Sequence, residues 1–66
     1  MKTKIKMIRF ELGMSQEELA KKANISRQTL SALENGKYNP SLLLASKITE
    51  ILGYDHIEDI FILEDK

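Results

Sequence analysis

Residues 16–35, QEELAKKANISRQTLSALEN, constrain the fold more than any other stretch of the chain. The preceding Ser15 opens the S-x-x-E form of a capping box with Glu18, in which the serine hydroxyl takes an orphan N–H of a new helix. Leu19, Ala20 and Ala23 follow at helical spacing, and Asn24 interrupts them. Ser26 offers a second cap, Leu30 and Leu33 form the next apolar face, and Gly36 ends it. Each helix has only about two turns, and isolated helices of that length are marginal in water. Both must therefore be held by packing, and so short a connection forces a close crossing. That demands a small residue at the crossing, which is Ala20. It also demands a backbone reversal, for which Asn24 is suited because Asn tolerates the left-handed conformation.

The rest of the chain is punctuated in the same way. Ile5, Ile8 and Leu12 with Phe10 predict a first helix from about Lys4 to Leu12, with Thr3 as N-cap and Gly13 as stop. Lys37-Tyr38-Asn39-Pro40 reads as a loop. Ser41 then caps a fourth helix through Leu52, with Leu44, Ile48, Ile51 and Leu52 along one side and Gly53 after it. Asp55 is expected to cap a short fifth helix carrying Ile57, Ile60 and Phe61. Ile62-Leu63 is either the end of that helix or a short strand. No segment sustains period-two alternation, so the expected class is all-α with five helices. Sixty-six residues make one domain, which at this size buries only about 60% of its unfolded surface.

Several function classes are disfavoured. The longest apolar runs are Leu42-Leu43-Leu44-Ala45 and Ile60-Phe61-Ile62-Leu63, whereas a membrane span needs about 20 residues. The basic start has no apolar segment after it, so no signal peptide is expected. The chain has no cysteine, which excludes disulfides and thiolate metal sites and suits a reducing cytoplasm. One histidine, no Gly-rich phosphate loop and little volume for a pocket argue against an enzyme, a cofactor or a small-molecule ligand. His56 has no metal-ligand partner at helical spacing, and Asp55, Glu58 and Asp59 are too few ligands for a divalent cation. Met7 and Met14 are read as core filler.

The net charge is zero, but its distribution is uneven. Residues 1–49 carry nine Lys or Arg against four Asp or Glu, while residues 50–66 carry one against six. A basic body with an acidic end can present one face to an anion.

Two short helices joined by a tight turn make a helix-turn-helix, the unit whose second helix enters the DNA major groove. At about 100° per residue, Leu30, Leu33 and Thr29 define the inward side of the third helix. Arg27, Gln28, Ser31, Ala32 and Asn35 then fall together on the outward side. Arg pairs bidentately with guanine and Gln with adenine, Ser bonds to several bases, and Ala touches only a thymine methyl. Arg27 and Gln28 lie at the helix N-terminus, the end nearest the base edges in this motif.

With these residues in view, positions 4–61 resemble the XRE family of helix-turn-helix domains, of the Cro and phage-repressor type. The matching residues are Arg9, Gly13, Ser15-Gln16-Glu17-Glu18-Leu19-Ala20, Ile25-Ser26-Arg27-Gln28-Thr29, Leu33-Glu34-Asn35-Gly36-Lys37, Pro40-Ser41-Leu42, Lys47-Ile48 and Leu52-Gly53. The resemblance implies a five-helix, phage-repressor-like domain over residues 4–61, with the motif at 16–35, the recognition helix at 27–35 and a short tail at 62–66. It implies that Gln16 holds a phosphate and braces the first reading residue. It further implies that Arg27, Gln28, Ser31 and Ala32 face bases, and that Asn35, Lys37 and Asn39 grip the backbone. Arg9 and Glu34 match a structural ion pair between the first and third helices. The sequence departs from the family at Asn24, where glycine is usual, and has no room for the separate oligomerisation domain of the longer repressors.

The expected function is a cytoplasmic, sequence-specific DNA-binding regulator, a repressor that binds a palindromic operator as a homodimer. Ile57, Ile60, Phe61, Ile62 and Leu63 are more apolar surface than one short helix hides, so this end is expected to carry the isologous dimer seam. Rival readings are an antitoxin, the controller protein of a restriction–modification operon, with Glu17, Glu18 and Lys21 free to touch polymerase, and a protein-interaction module that no longer binds DNA.

Overall fold

The computed structural model describes residues 2–62. Four α-helices occupy the middle of the chain: α1 (Ile5–Glu11), α2 (Gln16–Ala23), α3 (Arg27–Glu34) and α4 (Leu42–Ile51). Two-residue strands β1 (Lys2–Thr3) and β2 (Phe61–Ile62) flank them, and a single 3₁₀ turn at Ile57–Asp59 precedes β2. The strands pair antiparallel, with Lys2 opposite Ile62 and Thr3 opposite Phe61.

Helix boundaries follow local chemistry. Ser15, Ser26 and Ser41 each accept an N–H three residues on, from Glu18, Thr29 and Leu44 at 3.0, 3.0 and 3.1 Å. All four α-helices close with the same pair of backbone bonds, the Schellman arrangement. In α2, Asn24 N–H donates to Lys21 and Ile25 N–H to Ala20; in α3, Gly36 N–H donates to Leu33 and Lys37 N–H to Ala32. The residue that makes this reversal has positive φ, and Asn24 at φ 61° is the one non-glycine among the four.

The core is continuous. Ile5 and Ile8 of α1, Leu19 and Ala20 of α2, Leu30 and Leu33 of α3, and Ala45 and Ile48 of α4 are buried in it together with Leu52, Ile60 and Phe61. Thr49, also buried, returns its hydroxyl to the Ala45 carbonyl at 2.8 Å. This satisfies a polar group that would otherwise be costly inside.

The ends of the chain correct the five-helix expectation. Four α-helices and a small sheet form the domain, and no fifth α-helix is present among the described residues. Asp55 caps nothing; the turn at Ile57–Asp59 has His56 in extended conformation before it and no side-chain cap. The physical reason is a partner remote in sequence. Lys4 N–H donates to the Ile60 carbonyl at 2.8 Å, and β1 supplies the next backbone bonds, so the segment needs no helix to satisfy them. Phe61 then points into the core and Ile62 outward, as alternate strand residues do. Thr3 likewise is not the N-cap of α1: it lies in β1, and Lys4 occupies the cap position without a side-chain bond. The expected boundary between residues 61 and 62 falls within β2, and Leu63 lies outside the described residues.

Candidate nucleic-acid interface

The motif is built from the turn outward. Asn24 reverses the chain after α2, Ile25 is half-buried against the core, and Ser26 starts α3. The Ser26 hydroxyl also donates to Thr29 Oγ1 at 2.9 Å, so both hydroxyls at the start of α3 are partnered. Thr29 thus serves the cap as well as the inner side. With Leu30 and Leu33 fully buried, the azimuth of α3 is fixed, and its outer face follows from periodicity. Arg27, Gln28 and Asn35 are exposed, and Ser31 and Ala32 are half-exposed between them. The five expected face residues therefore lie on one side of the helix, with Asn35 as its C-cap one residue past the last helical position.

The opposite end of α3 is held by a polar network. Arg9 Nε donates to Glu34 Oε2 at 2.8 Å and Nη2 to Oε1 at 3.4 Å, with the two side chains 7% and 4% exposed. Arg9 Nη1 donates to the Met14 carbonyl at 3.0 Å, tying in the turn between α1 and α2. Gln16 Nε2 donates to Glu34 Oε1 at 3.1 Å. The Thr3 hydroxyl reaches the Glu34 carbonyl at 3.5 Å. Sequence reasoning paired Arg9 with Glu34 but missed the bonds from Gln16 and Thr3, since nothing local in their spacing signals a partner on α3.

Lys37, Tyr38 and Asn39 are exposed in the loop after α3. At the C-terminal end, two of the residues expected at a dimer seam are not surface. Ile60 is wholly buried and Phe61 is 3% exposed, because β1 and α4 leave room in the monomer core that these two side chains fill. Ile57 is half-buried, and Ile62 is 36% exposed. The apolar surface lies elsewhere. Leu42 and Leu43, in the first turn of α4, are 77% and 79% exposed. Their signal was in the sequence: four consecutive apolar residues on a helix cannot all face one core. On α1, Met7 and Phe10 point outward, so Met7 is not core filler. Phe10 instead stacks its ring 5.1 Å from the Arg9 guanidinium.

Among the described residues no group of histidine and carboxylate side chains is arranged to hold a metal ion, and no helix is long and apolar enough to cross a membrane. What this surface offers is an exposed polar helix on a rigid mount, with cations beside it.

The helix-turn-helix family model matches residues 5–58. An HTH-type transcriptional regulator of Methanothermobacter thermautotrophicus is 55% identical over 65 residues, covering 98% of this chain and 94% of the relative. The immunity repressor protein of Bacillus phage phi105 is 44% identical over 50 residues, 76% of this chain and 35% of that protein. Among solved structures, SinR, the master regulator for biofilm formation, in complex with DNA superposes with a TM-score of 0.71 at 36% identity, over 79% of this chain and 84% of that one. A chain of the SinR–SinI complex superposes with a TM-score of 0.74 at 33% identity, and the match spans 85% of this chain but about half, 54%, of that one.

Proposed function

The chain belongs to the XRE-type helix-turn-helix family: it is a transcriptional regulator with a DNA-binding fold and not an enzyme, and we propose that it acts in the cytoplasm as a repressor, occupying a palindromic operator as a homodimer. The observation that carries this reading is the outer face of α3. Arg27 and Gln28 are both exposed at its N-terminal end, the end that meets base edges when such a helix enters the major groove. Each bidentate contact to guanine or adenine discriminates by roughly 1–3 kcal/mol. Ser31 and Ala32 continue the face. Gln16, Asn35, Lys37 and Asn39 border it and contact phosphate, which positions the helix but carries no sequence information. A repressor of this kind needs only to occupy its site.

The dimer seam follows the surface apolar residues. Pro40, Leu42, Ala45, Ile57 and Ile62 line one shallow depression between the start of α4 and β2. We place the twofold contact there, with Leu42 of each copy entering the depression of the other. Such a contact is isologous, and two reading helices that face successive major grooves must lie about 34 Å apart.

Selection of bound duplexes from a random library tests the reading. Gln28→Ala is expected to relax the preference at one or two base pairs of each half-site. Lys37→Ala is expected to weaken all sequences alike and to lower the slope of log affinity against log salt by about one. An identical selected motif for wild type and Gln28→Ala would remove α3 as the base reader.

A further inference from the structure

Glu34 receives more bonds than an ion pair requires. Arg9 alone supplies two N–H donors to its carboxylate, which is enough to pair the charge. The third donor, Gln16 Nε2 at 3.1 Å from Oε1, comes from the first residue of α2 and does nothing for neutralisation. It has a consequence for Gln16 instead. A carboxylate engaged by Arg9 only accepts, so the amide must turn its NH₂ and not its carbonyl toward Glu34. With one N–H committed there, the other N–H and the carbonyl oxygen have fixed directions. The half-buried Gln16 is thus a polar group of defined orientation beside the outer face of α3, and not a free side chain.

There is also an electrostatic condition. A carboxylate within one hydrogen bond of a phosphate-binding amide would repel the DNA backbone in proportion to its uncompensated charge. Arg9, at 2.8 Å and almost fully buried with it, cancels that charge locally.

We propose that Glu34 is a positioning residue for DNA binding: by accepting from Gln16 Nε2 it fixes which groups of the Gln16 amide meet the DNA backbone, while Arg9 keeps the carboxylate from repelling phosphate. The inference rests on the proposed binding of DNA by the α2–α3 surface. The ion pair then has two tasks, to join α1 to α3 and to orient a residue of α2.

The test is a double-mutant cycle on the full chain, read as affinity for a short duplex of random sequence, because a phosphate contact is independent of sequence. Gln16→Ala is expected to lower affinity about five- to tenfold, the size of one hydrogen bond. Arg9→Met made together with Glu34→Leu removes the acceptor without leaving a buried charge; in the wild-type background it is expected to lower affinity by a similar factor, and in the Gln16→Ala background to lower it no further. Thermal unfolding of each variant separates loss of fold from loss of orientation. If that pair does not fold, Arg9→Leu with Glu34→Met removes the same acceptor with a different packing, and the same cycle is run on it. Losses that multiply across the cycle would overturn the inference. If they multiply while Gln28→Ala still changes the selected motif, the DNA-binding reading stands alone. If neither Gln16→Ala nor Gln28→Ala alters binding, both fall.

Discussion

The two ends of α3 and the C-terminal side of the described chain are secured by different means. At α3, polar bonds do much of the work: Ser26 and Thr29 at its start, Arg9, Gln16 and Thr3 on Glu34 at its finish. These bonds are directional, so they hold both ends of α3 in the rotation that the buried Leu30 and Leu33 set. The C-terminal side of the described chain is secured chiefly by burial. Ile60 and Phe61 fill the core, and the strand pairing they accompany is two residues long. Burial is non-directional and roughly proportional to area, so it holds that end in place without orienting a side chain for a partner. A surface that must present particular groups needs the first kind of anchorage, and a closure needs only the second.

The comparison is broken most strongly at the apolar end. Ile60→Ala removes a wholly buried side chain and is expected to cost about 3–4 kcal/mol, a large part of the stability of so small a domain. Urea unfolding measures it; a cost under about 1 kcal/mol would mean that the terminal segment is peripheral. Next in size is Leu42→Lys, aimed at the proposed seam. It should leave thermal stability unchanged, since Leu42 is mostly exposed, yet lower operator affinity by at least about tenfold, or roughly 1.4 kcal/mol. Sedimentation should show the variant as a monomer at concentrations where the wild type is a dimer, and an unaltered dimer would place the seam elsewhere.

The polar end gives smaller stability effects with sharper functional ones. Ser26→Ala removes the cap of α3 and is expected to cost about 1 kcal/mol, with a loss of selectivity in the duplex selection because the first turn carries Arg27 and Gln28. Unchanged selectivity would show that Leu30 and Leu33 alone orient the helix. The last effect, on stability alone, is at the turn. Asn24→Ala puts an ordinary residue at φ 61° and should destabilise by about 1 kcal/mol, whereas Asn24→Gly should change stability by less than about half of that. Equal effects in thermal melts would mean that the turn carries no conformational demand.

Legibility in the sequence divided along the same line. Ser15, Ser26 and Ser41 were readable as caps because the group each one satisfies lies three residues away. Asn24 and the glycines were readable as stops because the demand on φ is local. The outward set on α3 followed from periodicity once Leu30 and Leu33 were assigned inward. What stayed hidden depends on contacts between remote positions. Nothing near Thr3 announces a strand, and nothing near Phe61 announces that its partner is Thr3. Ile60 and Phe61 looked like surplus apolar surface because the space they fill is made by α4 and β1 together. Gln16 was placed at the interface, but its bond to Glu34 required the two helices to be seen side by side. Leu42 and Leu43 are a different case, since their run with Leu44 and Ala45 already exceeds what one helix face can bury.

The pairing of Thr3 with Phe61 joins positions separated by nearly the whole described chain, and that has a kinetic meaning. The helices and their turns are local and form on the microsecond scale, whereas closing so long a loop costs about 3–4 kcal/mol of entropy before any contact rewards it. The clasp between the strands is therefore expected to close last and to open first. In hydrogen exchange the Lys4 amide, bonded to Ile60, should lose protection before those of Leu30 and Leu33, so that α3 stays formed while the strands packed beside it are already unfastened.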